Sequence, residues 1–457
     1  MPDIKKNIKE NKWICWVALA CLVVPMFASY FFDDMFSSLS ELFKNPEQLQ
    51  LGWDMSDYGF YSSGYSFLCI WGGLILCGAL LDRFGVRLVG SIFVGMMVSG
   101  AALVTFAISA GFKPETSLTI AYIGCMLFGL GSEIAGVSVT RSIAKWFKGR
   151  NMALAMGLQL AIARFGTATA ILIAPMIVTQ KAAGEMYLLS DTNRPAMIGL
   201  AVLGIGAILW AVFVSLDARF DRQTGETDKV ETSEEDKFRI SDIWKVMSNP
   251  RFLMIAVLCV TFYCTVIRFK KFGVSILLPL FGVDLDIATV LLAMIPFFTI
   301  LFTPLFGALV DKVGKATLWM TAGSAMVLVS HLIITFAPQG EPVYAYIAIA
   351  LLGTGYSLVP SAMWPSVPKI IPEKNLGTAY SLIYWVQNLG MWAVPIYVGR
   401  IFKKEITEAG NIQQEISAAI QAEYVFIFLG MIAIATALML CFSSKRHPEL
   451  HLDQPAQ

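Results

Sequence analysis

The chain of 457 residues is 56% hydrophobic and only 15% charged, with a formal net charge of +1. A soluble domain carries about 25% charged residues, so little of this chain is built to face water. Its Lys and Arg sit in short clusters between apolar runs, which leaves no basic stripe for nucleic acid.

Apolar runs near the length of a bilayer crossing recur along the whole sequence. Twelve spans are expected, near residues 13–34, 58–82, 87–110, 118–145, 152–179, 196–216, 251–280, 287–310, 317–337, 343–367, 376–401 and 422–442. Each reads as a helix, which satisfies its own backbone in lipid. A barrel is excluded by the length and uniform apolarity of the runs. The opening "MPDIKKNIKENK" resembles the basic region of a signal peptide, but its apolar run continues to about Phe32 with no evident cleavage site, so a retained first helix is expected. The eight cysteines lie in or beside apolar runs, with no C-x-x-C pair, and read as packing residues.

Basic residues in alternate loops set the orientation. Lys5, Lys6, Lys9 and Lys12 precede span one, and Arg83, Arg87, Lys145, Lys148, Arg150, Lys312, Lys315, Lys369, Lys374, Lys445 and Arg446 fall on the same side, with Arg400, Lys403 and Lys404 of "GRIFKKE" the exception on the outside. Both termini are therefore expected in the cytoplasm. The polar stretch from Asp217 to Asn249 divides the spans six and six and reads as a linker, with "SDIWKVM" as a short surface helix. The domains expected are 1–216, a linker over 217–249, and 250–457.

The halves repeat each other. "GALLDRFGVR" (Gly78 to Arg87) returns as "GALVDKVGKA" (Gly307 to Ala316), "GLGSE" (Gly129 to Glu133) as "GTGYS" (Gly353 to Ser357), and "ARFG" (Ala163 to Gly166) as "QNLG" (Gln387 to Gly390). Parallel repeats of six helices are a transporter plan, with substrate bound between the halves near mid-membrane.

Glu133 and Arg164 stand in the middle of spans four and five. Counting from the loop that joins these spans puts both at similar depth. Facing lipid, each would cost roughly 2.5–3.5 kcal/mol on the mildest scale, so both must face protein or a wet cavity. Three readings follow from the residues alone: a structural ion pair, a proton-coupling carboxylate tuned by its arginine, or a clamp for the two ends of a zwitterion. The repeat puts neutral Ser357 and Asn388 at the equivalent positions of the second half. Trp364 is a candidate to stack on a flat group or side chain of a ligand, Gln387 and Asn388 to hydrogen-bond it, and Tyr30 and Tyr65 to form an amphipathic rim. Each also fits as a packing residue. Arg268, Lys270 and Lys271 in "IRFKKFG" are expected near the outer interface, snorkelling to water, with a gate or an acidic-side-chain subsite as the other readings. His331 is expected to make a packing or interhelical contact.

No phosphate-binding loop, H-E-x-x-H or G-x-S-x-G appears in the sequence. ATP-driven pumping and hydrolase chemistry are not expected, nor is a cofactor or metal.

The "GALLDRFGVR" loop and its second copy resemble the signature loop of the major facilitator superfamily. "KWFKGRNMALAMGLQLAIARFG", "SAMWPSVPKIIPEKNLGTAYSLIYWVQNLG" and "LVSHLIITF" resemble, more narrowly, its lysosomal dipeptide transporter branch, that of major facilitator domain-containing protein one. The resemblance implies an all-α fold of twelve transmembrane helices in two six-helix halves. It implies facilitated, alternating-access movement of dipeptides, including cationic ones, rather than an enzyme. Glu133 would hold the ammonium and Arg164 the carboxylate, with Tyr30, Tyr65, Ser357, Trp364, Gln387 and Asn388 around them. Gating would fall to Asp82, Arg83 and Gly85 and to Asp311, Lys312 and Gly314, the glycines in tight turns at φ > 0. A dipeptide and the bilayer are the partners implied; the sequence names no accessory subunit. A proton-coupled carrier of another small zwitterion or anion is the runner-up, and a non-transporting sensor or scaffold is the reading from another class. No acidic dileucine signal stands near the N-terminus, so a bacterial plasma membrane is the expected location, or a lysosome in a eukaryotic cell.

Overall fold

The computed structural model describes residues 11–148, 151–178, 185–224, 240–372, 375–448 and 451–455. Fourteen α-helices make up these residues: α1 (Lys12–Asp34), α2 (Met55–Leu68), α3 (Leu74–Ser109), α4 (Pro114–Trp146), α5 (Met152–Ile177), α6 (Leu189–Thr224), α7 (Ile240–Met247), α8 (Pro250–Tyr263), α9 (Phe269–Phe281), α10 (Leu285–Val313), α11 (Ala316–Phe336), α12 (Pro342–Ile370), α13 (Leu376–Glu405) and α14 (Ile412–Arg446). Local chemistry marks their starts. Asn11, Asp54, Asn249, Asp284 and Asn411 each accept from the first backbone N–H groups of the helix they precede. Pro114, Pro250 and Pro342 occupy first turns, where no N–H is missed.

Twelve crossings result. A π-turn at Cys69–Gly73 joins α2 to α3, and Gly85, at φ 79°, breaks α3 between spans two and three. A second π-turn, Cys264–Arg268, joins α8 and α9 into span seven. Among the described residues, ten helical segments are long and apolar enough to cross a membrane. Of the other two crossings, 55–84 includes residues whose side chains lie outside the described set, and α13 carries Ser, Tyr, Trp, Gln and Asn along its length. These two face each other across the halves: a side chain on Gly59 of α2 would run into Pro395 and Gly399 of α13. The polarity of α13 belongs to an interface between halves rather than to a lipid-facing surface.

The helices alternate between a face that carries both ends of the chain, here the terminal face, and the opposite, far face. On the terminal face α6 does not end where the linker was expected. It continues to Thr224 because Asp217, buried, accepts from Lys145 Nζ (3.0 Å) and Trp146 Nε1 (2.8 Å). Lys145 and Arg87 also pair with Asp221. Residues 225–239 of the expected linker lie outside the described residues, and its surface helix is α7. Also on this face, the tail segment 451–455 docks on the second signature loop. Asp453 accepts from Thr317 N and Oγ1 (2.8 and 2.9 Å) and from Ser444 Oγ (2.7 Å).

Candidate functional site

Two close helix approaches build the site. A Cβ on Gly129 would strike the carbonyl of Tyr65, and one on Gly166 the carbonyl of Phe27. Glycine at these positions lets α4 lie against α2 and α5 against α1. One turn from Gly129, Glu133 then reaches the Tyr65 hydroxyl, which donates to Oε1 at 3.0 Å. Two residues from Gly166, the Arg164 guanidinium lies 5.7 Å from the Tyr30 ring centre and 5.4 Å from that of Tyr356. Tyr356 belongs to the other half, so Arg164 bridges the halves by cation–π contact.

Glu133 and Arg164 do not pair with each other. Among the described residues, no cation lies within 4 Å of the Glu133 carboxylate and no carboxylate within 4 Å of the Arg164 guanidinium. Both are half-buried, as are Tyr30 and Tyr65. Tyr30 lies within electrostatic reach of both charges.

The second half adds an aromatic arc. Tyr263 and Tyr356 meet edge to face at 6.0 Å. Trp364 Nε1 donates to the Tyr263 hydroxyl at 3.0 Å, and its ring stacks on Tyr384 at 5.2 Å. Trp385 Nε1 donates across the halves to the Ile70 carbonyl at 2.7 Å. Gln387 is half-buried and accepts from the Cys259 thiol at 3.4 Å. Asn388 is buried and donates to the Tyr384 carbonyl within its own helix. Ser357, fully buried, spends its hydroxyl on the Gly353 carbonyl. Of the expected site residues, Glu133 with Tyr65, and Arg164 with Tyr30, are thus brought together. Trp364 joins them through Tyr263 and Tyr356, while Ser357 and Asn388 bond inside their own helices.

The far face carries a set of charges whose arrangement sequence reasoning missed. Lys270 and Lys271 do not snorkel: they are 7% and 3% exposed. Lys270 Nζ meets Asp34 Oδ2 at 2.6 Å, and Lys271 Nζ meets Asp33 Oδ2 at 3.0 Å and Asp34 Oδ1 at 3.1 Å. Thr167 of α5 donates to Asp34 as well, at 2.7 Å. The π-turn before α9 aims the lysines across the halves, where carboxylates outcompete interfacial water. Further out, Lys44–Glu415 (2.7 Å) and Lys403–Asp54 (2.8 Å) repeat the pattern. The acidic doublet ending span one and the basic doublet in span seven were the available signal, since those spans are equivalent in the repeat. His331 makes the interhelical bond expected of it, Nδ1 to Glu423 Oε2 at 2.8 Å.

On the terminal face, among the described residues, no ion pair joins the halves. Arg83, Asp311 and Lys312 are exposed, with Arg83 lying over the Phe84 ring. The Asp82 side chain is outside the described set. Gly85 and Gly314 both take positive φ, 79° and 69°.

The sequence profile of the Major Facilitator Superfamily matches residues 22–395. The chain belongs to the major facilitator superfamily. Within it, the chain is 31% identical over 384 residues to the human lysosomal dipeptide transporter MFSD1, covering 82% of this chain and 77% of that protein. To mouse MFSD1 it is 31% identical over 395 residues, covering 84% and 79%. Among solved structures, a bacterial homologue of the human lysosomal transporter Spinster aligns with a TM-score of 0.71 at 13% identity, over 94% of this chain and 98% of that one. A POT family transporter in complex with a thioalcohol-conjugated peptide aligns at 0.61 and 15% identity, over 94% and 96%. The major facilitator fold, with twelve helices in two halves, is therefore that of this chain. It is a multi-pass integral membrane protein whose family and relatives are transporters.

Proposed function

We propose that this major facilitator protein carries dipeptides across a membrane by alternating access, down their gradient. The observation that carries the reading is that neither Glu133 nor Arg164 has an oppositely charged group within 4 Å among the described residues, while Tyr30 lies within electrostatic reach of both. A half-buried carboxylate and a half-buried guanidinium, each held by tyrosine rather than by the other, suit the ammonium and carboxylate of a zwitterion. The names of the relatives at about 31% identity support a dipeptide as that zwitterion. Tyr30, Tyr65, Tyr356 and Trp364 supply flat, amphipathic walls for a peptide plane of any side chain.

The far-face ion pairs act as the outer gate in this reading and hold that face closed. Gating at that face falls to the signature-loop residues Asp82, Arg83 and Gly85 and their counterparts Asp311, Lys312 and Gly314. The excess of Lys and Arg there supports a cytoplasmic terminal face, with a bacterial plasma membrane as the location, or a lysosomal membrane in a eukaryotic cell. Cargo that touches both halves favours the occluded state over either open one, which is how binding drives the exchange.

Proteoliposomes containing the pure protein test this reading. Labelled Ala-Ala should exchange into vesicles preloaded with unlabelled Ala-Ala, with the same rate whether or not a pH gradient is imposed. Exchange of sugars or single amino acids without exchange of dipeptides would overturn it.

A further inference from the structure

Among the charges nearest the candidate site, not every buried cation has a carboxylate beside it. Asp33, Asp34 and Glu133 are carboxylates; Arg164, Arg268, Lys270 and Lys271 are cations. Asp33 and Asp34 are occupied by Lys270 and Lys271. With Glu133 and Arg164 assigned to the peptide's two ends, Arg268 is the surplus. Its side chain is nine-tenths buried and more, at 3% exposure. Its Nη2 donates to Ser66 Oγ at 3.3 Å, its Nε has no acceptor, and among the described residues no carboxylate lies within 4 Å of it. A buried ion without a partner costs several kcal/mol. Arg268 ends the π-turn on one half, and Ser66, on the other, is the neighbour of the tyrosine that holds Glu133. Arg268 also lies within Coulombic reach of Glu133.

We propose that Arg268 is a specificity-determining residue that receives the side-chain carboxylate of an acidic dipeptide, so that the carrier favours cargo of net charge −1. The inference rests on the dipeptide reading above. A neutral dipeptide satisfies Glu133 and Arg164 and leaves the surplus cation in place. An acidic one cancels it through a charge-assisted pair that guanidinium geometry suits. The long bond to Ser66 crosses the halves, which move relative to each other during transport. It is the contact that the cargo's carboxylate replaces as the halves close on it.

Competitive binding to the full-length protein in lipid nanodiscs tests this, with Ala-Glu, its uncharged isostere Ala-Gln, and Ala-Lys. Wild type should bind Ala-Glu on the order of tenfold more tightly than Ala-Gln, and Ala-Lys least. Arg268→Gln should bring Ala-Glu level with Ala-Gln while leaving Ala-Gln affinity nearly unchanged. Equal binding of all three to wild type, or a preference that survives Arg268→Gln, overturns the proposal. So does equal weakening of all three by Arg268→Gln, which would make the residue a structural counter-charge. If that variant does not fold, Arg268→Lys decides: a partial loss of the Ala-Glu preference is expected, and an undiminished preference overturns the role. Failure of every dipeptide to bind wild type would remove the dipeptide reading itself, whereas binding without the acidic preference removes only Arg268's part.

Discussion

Tyr65 donates its hydroxyl to Glu133 Oε1 at 3.0 Å and, on the same atom, lies 3.1 Å from Ser132 Oγ. The carboxyl group is thus oriented by a phenol, with no cation within 4 Å among the described residues. Arg164, in the next helix, is held by the faces of Tyr30 and Tyr356 in the same way. Tyrosine can orient both groups without forming an ion pair to either, which leaves both for a ligand.

Arg164→Ala should abolish dipeptide binding. Its guanidinium is suited to a bidentate grip on a terminal carboxylate. Calorimetric titration with Ala-Ala checks this, with monodispersity on size exclusion as the folding control. Retained affinity would remove the carboxylate role.

Lys271→Ala should loosen the far face. Its ammonium bridges both Asp33 and Asp34, and breaking a buried pair on one side costs about 3–5 kcal/mol. Because that loss falls on the far-face-closed state, the population should shift toward the open one. Spin labels at the exposed positions Glu47 and Glu408, one on each half, should report longer distances in the variant than in wild type. An unchanged distance distribution would mean that the packing of α2 on α13 alone closes that face.

Asp453→Ala should destabilise the terminal end of the second half without touching the chamber. Asp453 accepts from the first turn of α11 and from Ser444, and losing a helix cap of this kind costs about 1 kcal/mol. A lower melting temperature in detergent with unchanged dipeptide affinity is the expected pair of results. Lost affinity would tie the tail to the binding site.

Much of this was legible in the residues. Twelve crossings and their halving follow from apolar length and the internal repeat, and Glu133 and Arg164 stand out because full charges are rare in such spans. The aromatic arc was not legible in the same way. Tyr263, Tyr356 and Tyr384 look like any other aromatic residue of a membrane helix, and only the packing of α8, α12 and α13 gathers them around Trp364. Lys270 and Lys271 show a different limit. Counting along a helix gives their depth but not their partner, so the default of snorkelling ignored Asp33 and Asp34 on the facing helix. The start of the linker failed for a similar reason: Asp217 and Asp221 look solvent-bound until Lys145 and Trp146 are brought beside them.

The division of labour between Glu133 and the peptide ammonium is the centre of the account, and a capped-peptide cycle reads it most directly. Affinities of Ala-Ala and N-acetyl-Ala-Ala are to be measured by calorimetry for wild type and for Glu133→Gln. Capping should weaken binding to wild type by on the order of tenfold or more and binding to Glu133→Gln only slightly. Equal weakening in the two proteins would contradict the assignment of Glu133 as the ammonium's partner.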